Sequence, residues 1–173
     1  MASFETLSFY RGVSNETPLD RPSLIHTRKN RRPRDTPICL HEAADKWFKA
    51  SFGVAYRSQA VFLTPNRMTA QFYGKSPNHC VRVVPLGEYS YCWSSKYSDF
   101  LHLAKDAPTA DELTARLPDA GYGTTDLALA HQSGNELMLC CDVYMAVPIG
   151  LLFEEIELVS RLSVILGADE SFN

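Results

Sequence analysis

The chain has 173 residues, 45% of them hydrophobic, with 17 basic and 20 acidic side chains and a formal net charge of −3. That length suits one domain, and that apolar content excludes a disordered chain. No apolar run is long enough to span a bilayer, and the opening MASFETLSFYRG lacks the basic start and apolar stretch of a secretory leader, so one cytoplasmic domain with no membrane partner is expected over residues 1–173.

Residues 5–13 read as a strand, with Leu7, Phe9 and Arg11 on one face by the period of two. Arg11 therefore points where apolar side chains point. A guanidinium placed there needs a carboxylate or a phosphate. Gly12 beside it lets a backbone or a ligand approach closely. Residues 14–37 hold four of the ten prolines. Within them the window from Asp20 to Asp35 carries Arg21, Arg28, Lys29, Arg31, Arg32 and Arg34 against only Asp20 and Asp35. A long irregular basic connection is expected here. It is either a solvated loop or a docking patch for phosphates or an acidic partner.

Residues 41–53 read as a helix with Leu40, Ala44, Trp47, Phe48 and Phe52 on one side and Gly53 as its stop. Residues 60–63 form a short apolar strand. It runs into Thr64-Pro65, which reads as the cap and first residue of a helix ending at Gly74. A strand end, a hydroxyl and a helix start can hold an anion, or can simply make a cap. Residues 79–85 read as a strand, and 86–108 are aromatic and polar with no assigned element. Short helices are expected at 110–117 and 125–131, the latter capped by Thr125. Residues 136–141 are apolar on both faces and so belong at the centre of a sheet. Residues 144–148 continue or pair with that strand. Glu136 opens it after the turn Ser133-Gly134-Asn135. Residues 151–166 fit a helix or a strand, with Leu152, Ile156 and Val159 favouring the helix. Strands with interspersed short helices give an α+β fold.

The five cysteines are odd in number, only Cys140 and Cys141 are adjacent, and no CxxC pair occurs. Neither a disulfide framework nor a metal site is expected. Cys39-Leu40-His41 and His79-Cys80 put Cys near His in sequence. Neighbours on a strand face opposite ways, so adjacency makes no catalytic pair.

Taken in order, three segments resemble the arginine–serine–glutamate branch of the ADP-ribosyltransferase superfamily. FYRG at 9–12 looks like its first motif, FLTPNRMTAQFYG at 62–74 like its second, and NELML at 135–139 like the Glu-bearing strand of its third. The resemblance implies a compact α+β fold of two packed antiparallel-rich sheets forming an NAD cleft with short flanking helices. It implies transfer of ADP-ribose from NAD, the co-substrate, to a macromolecular acceptor, protein or nucleic acid, with release of nicotinamide and no metal. Glu136 would bond the ribose 2′-hydroxyl and stabilise the cationic ring. Arg11 would pair with the diphosphate or a ribose oxygen, Gly12 would admit the nicotinamide amide, and Thr64 would take the serine role. Tyr73, beside Phe72, would stack on nicotinamide or belong to the core. Thr64-Pro65-Asn66 keeps one hydroxyl of the family's triplet. Gly134 stands where arginine-modifying members carry Glu or Gln, which leaves the acceptor open. A bacterial toxin or effector with an antitoxin or immunity partner is one compatible biology. The alternatives on the same scaffold are an RNA 2′-phosphotransferase and an NAD glycohydrolase. A non-catalytic module binding through residues 26–34 is the third. Glu154, Glu155 and Glu157 compete with Glu136 for the catalytic place.

Overall fold

A computed structural model describes residues 2–13, 20–33, 35–74 and 79–149. The fold is α+β, and the described residues hold one antiparallel six-stranded sheet and six α-helices. The strands are β1 (Tyr10–Gly12), β2 (Ser23–His26), β3 (Val61–Leu63), β4 (Cys80–Ser94), β5 (Tyr122–Gly123) and β6 (Leu137–Pro148). The helices are α1 (Ile38–Phe52), α2 (Tyr56–Gln59), α3 (Arg67–Tyr73), α4 (Phe100–Asp106), α5 (Ala110–Arg116) and α6 (Leu127–Ser133). No helix among the described residues is long and apolar enough to cross a membrane.

The expected pair of packed sheets is replaced by one sheet. The reason is the length of β4 and β6, which pair from Val81↔Pro148 to Trp93↔Leu137 and carry every other strand on their outer edges. β1 and β5 lie along β4, while β2 and β3 lie along β6. A bulge between Leu86 and Tyr89, with Gly87 at φ 73°, bends the central ribbon. The sheet coils so far that Tyr10 of β1 and Thr64 after β3 form an isolated bridge.

The coil defines two cores. The concave side gathers Phe4, Phe9, Val81, Trp93, Leu137 and Leu139 under α6. The convex side packs Cys92 and Met138 against Leu40, Phe48, Tyr56 and Phe100 of the helical layer. β6 alternates between them, Leu137 and Leu139 inward and Met138 outward, which is why its sequence is apolar throughout.

Several local expectations change. β2 lies inside the segment read as irregular; it is an edge strand of four residues, too short to show a period. α1 starts at Ile38, three residues before the expected start; Ile38 and Cys39 are exposed, so the apolar stripe does not mark them. α3 is capped by Asn66, whose side chain accepts the Thr69 N–H, rather than by Thr64. Thr64 is held instead by its backbone pair with Tyr10. β4 runs nine residues beyond Pro85, since the bulge lets a Pro- and Gly-containing stretch stay in the ladder. α6 takes Asp126 at φ 59° as its cap, and the Thr125 carbonyl accepts the Trp93 indole N–H. The expectations for 151–166 and for Glu154, Glu155 and Glu157 lie outside the described residues.

Candidate functional site on the convex face

β6 begins at Leu137, which faces the concave core, so Glu136 before it faces the convex side. Its N–H donates to the Ser98 carbonyl at 2.7 Å, which fixes the residue at the strand mouth. Its Oε1 lies 3.5 Å from Arg57, and its side chain keeps 24% exposure. Desolvation raises the Glu136 carboxyl above the ordinary value. Arg57 opposes that rise, Asp99 adds to it, and the Phe100 N–H and Arg31 also favour the charged form.

Arg57 is placed from α1. Asp45 accepts the backbone N–H of Arg57 at 2.7 Å and of Ser58 at 3.2 Å, and also takes the Ser58 hydroxyl. This carboxylate serves as a cap for α2, a turn with no cap residue of its own. His41 completes the joint, with its Nε2 3.1 Å from Ser58 Oγ. The Arg57 guanidinium then lies 4.4 Å from the Phe62 ring centre and 4.1 Å from that of Phe100. Arg31 sits over the same Phe62 ring at 4.0 Å.

Thr64 follows Leu63, which pairs with Leu137, so the same register sets Thr64 across from Glu136. Its hydroxyl accepts the Asn66 N–H at 3.1 Å and reaches the Gly134 carbonyl at 3.5 Å. Tyr73 ends α3 on this face and is 58% exposed. Burial raises its phenol, and the nearby negative charges of Asp99, Glu136 and Asp35 raise it further. Phe72 beside it is 86% exposed, so neither ring belongs to the core. An open groove of about 550 Å³ adjoins the turn that leads into Glu136; Ser98, His102, Lys105, Ser133 and Asn135 line it.

Two expected site residues sit differently. Gly12 is covered by the chain itself: a Cβ there would meet the Ala70 carbonyl oxygen at 2.5 Å and the Gly74 nitrogen at 2.8 Å. The close approach is that of α3, which leaves no room on that side for a nicotinamide amide. Arg11 shares the concave face with Phe9 and Val13 and donates to the Tyr144 hydroxyl at 3.2 Å. The structure thus brings Thr64, Tyr73 and Glu136 to one face and turns Arg11 to the other. The guanidinium beside Glu136 is that of Arg57. Sequence reading had no handle on it, since its partners come from α1, β3, α4 and the mouth of β6.

Among the described residues no group of three His, Cys, Asp or Glu side chains is placed to hold a metal ion. No protein-family model, curated protein or solved structure matches this chain.

Proposed function

We propose that the protein is an ADP-ribosyltransferase that takes NAD as co-substrate and modifies a macromolecular acceptor, with Glu136 as the catalytic carboxylate. One observation carries the reading: a partly desolvated carboxylate, paired with the Arg57 guanidinium, shares a face with the Thr64 hydroxyl and an exposed tyrosine. Breaking the bond between nicotinamide and ribose builds positive charge on the sugar ring. A fixed carboxylate in a poorly solvated place stabilises that charge more strongly than one in water. Glu136 accepts the ribose hydroxyl and opposes the cation. Thr64 steadies the turn before it through the Gly134 carbonyl. Tyr73 offers a ring face to a flat cationic base. The cations near Glu136 are Arg57 and Arg31, not Arg11.

The test is label transfer from adenine-labelled NAD into a cell lysate by wild type and Glu136→Gln, followed by nuclease or protease digestion. Label from wild type alone supports the reading, and digestion separates protein from nucleic acid. Nicotinamide release without label means a glycohydrolase. Neither product from a folded wild type ends the enzymatic reading.

The position of Arg11 favours one second reading, a module that binds without chemistry. Among the described residues of the 26–34 segment it would use Arg28 and Arg32, which are exposed, while Lys29 pairs with Asp142 at 2.8 Å and Arg31 stacks on Phe62. Such a module would bind as well with Gln at position 136.

A further inference from the structure

We propose that Arg57 is the positioning residue of this site: its guanidinium, held against the Phe62 and Phe100 rings, fixes the Glu136 carboxylate and keeps it charged. The inference deepens the transferase reading and rests on Glu136 being its catalytic group. The geometry is unusual for an arginine. Its side chain is 8% exposed, and its Nε is buried with no hydrogen-bond partner among the described residues. A guanidinium so dried is unfavourable unless something compensates. Here two ring faces and one carboxylate do so. An arginine serving only as packing has no need of a charge, and a hydrophobic residue would fill that space without the desolvation cost.

The arrangement has a chemical consequence. Glu136 stands among groups of both signs. Asp99 precedes α4, Tyr73 ends α3 and Tyr122 lies in β5. Arg31 follows β2, and the Phe100 N–H points to the carboxylate from α4. Burial and Asp99 favour the proton on Glu136. A protonated Glu136 cannot oppose a ribosyl cation. Among the groups favouring the charged form, Arg57 has the largest effect and is the one whose position is fixed on both ring faces. An ammonium at the end of a flexible stem could supply the charge but not the planar contact.

The experiment follows the Glu136 side-chain carboxyl carbon by NMR in ¹³C-glutamate-labelled protein, assigned with Glu136→Gln and titrated without NAD. The wild-type carboxyl is expected to be ionised at neutral pH, despite burial. Arg57→Met should raise its midpoint by about one pH unit or more, the scale of one close opposite charge. Arg57→Lys should raise it less, and Asp99→Asn, which keeps a competent helix cap, should lower it. A wild-type carboxyl that is protonated at neutral pH, or an unchanged midpoint in folded Arg57→Met, overturns the proposal. If Arg57→Met does not fold, the wild-type midpoint decides. The titration involves no catalysis, so a failed labelling assay sinks the transferase reading without touching this result. In active enzyme the acid limb of kcat/KM should move up with the midpoint, and Arg57→Met should recover activity as pH rises. A merely structural arginine would not give that recovery.

Discussion

Tyr10 and Thr64 lie at diagonally opposite corners of the sheet and still exchange both backbone hydrogen bonds, at 2.8 and 2.9 Å. The contact needs the full coil of the β4–β6 ribbon. It also delivers the Thr64 hydroxyl to the turn before Glu136, so the closure of the sheet and the assembly of the site are one event. Thr64→Val keeps the backbone pair and removes the hydroxyl. It should slow transfer by about 3–10-fold, the worth of one ordinary hydrogen bond. Glu136→Gln should cost about a hundredfold or more, as loss of a preorganised electrostatic group does. Single-turnover rates on saturating NAD measure both.

Arg11 separates a substrate role from a fold role. Its described partner is the Tyr144 hydroxyl, on the face away from Glu136. Arg11→Met should leave the KM for NAD within about twofold and lower stability by about 1–2 kcal/mol, near the lower end for a charge-assisted hydrogen bond on a half-exposed group. Urea unfolding and initial-rate kinetics together decide. A KM raised tenfold at unchanged stability would place Arg11 in the proposed NAD site.

Gly12 makes a prediction about α3. The added Cβ of Gly12→Ala would press on backbone atoms of Ala70, Tyr73 and Gly74, none of which can rotate away. The helix must lift, at a cost of about 1–3 kcal/mol typical of overpacking. Tyr73 would move with it, so the midpoint of urea unfolding and the rate of transfer should fall together. Phe72→Ser, by contrast, alters an exposed ring and should leave stability within about 0.5 kcal/mol.

His41 gives a pH dependence of definite sign. Burial lowers its imidazole below the ordinary value, with Asp45 opposing. The folded state therefore binds fewer protons than the unfolded one in this range. The stability this confers is complete above about pH 6.5, the unfolded value, and is lost as pH falls through the folded value. Glu136 acts the other way: its raised carboxyl adds stability below about 4.5, which is lost as pH rises through the folded value. Melting temperatures of wild type and His41→Gln between pH 8 and 5 isolate the first effect. The wild type should lose more on acidification than the variant does. Equal slopes would mean that His41 keeps its ordinary titration.

What could be read from the sequence follows the length of each signal. α1 spans four turns with a one-sided apolar stripe and a glycine stop, and it was legible apart from its exposed first residues. The first half of β6 was legible because a core covers each of its faces. β2 was not, because four residues among prolines and arginines carry no period. The second half of β4 was hidden by Pro85 and Gly87, which read as a turn unless the bulge is known. In the candidate site, motif order singled out Thr64, Tyr73 and Glu136, and the fold sets them on one face. Arg57 was not legible, since what distinguishes it is two aromatic rings distant in sequence. The face of Arg11 followed from alternation, but which side of the sheet held Glu136 depended on where β6 begins.

The unequal strand lengths carry a kinetic meaning. β4 and β6 hold each other through eleven register pairs, while β1, β2, β3 and β5 attach by two to four each. Short edges detach at lower free energy than a long central ribbon. In native-state hydrogen exchange, amides of Val84 and Leu139 should report global unfolding, whereas those of β3, and that of Val83, which donates to the Phe9 carbonyl beside β1, should open sooner. The site would then come apart at its Thr64 side while the strand bearing Glu136 stays paired, so a molecule can lose competence for chemistry without unfolding.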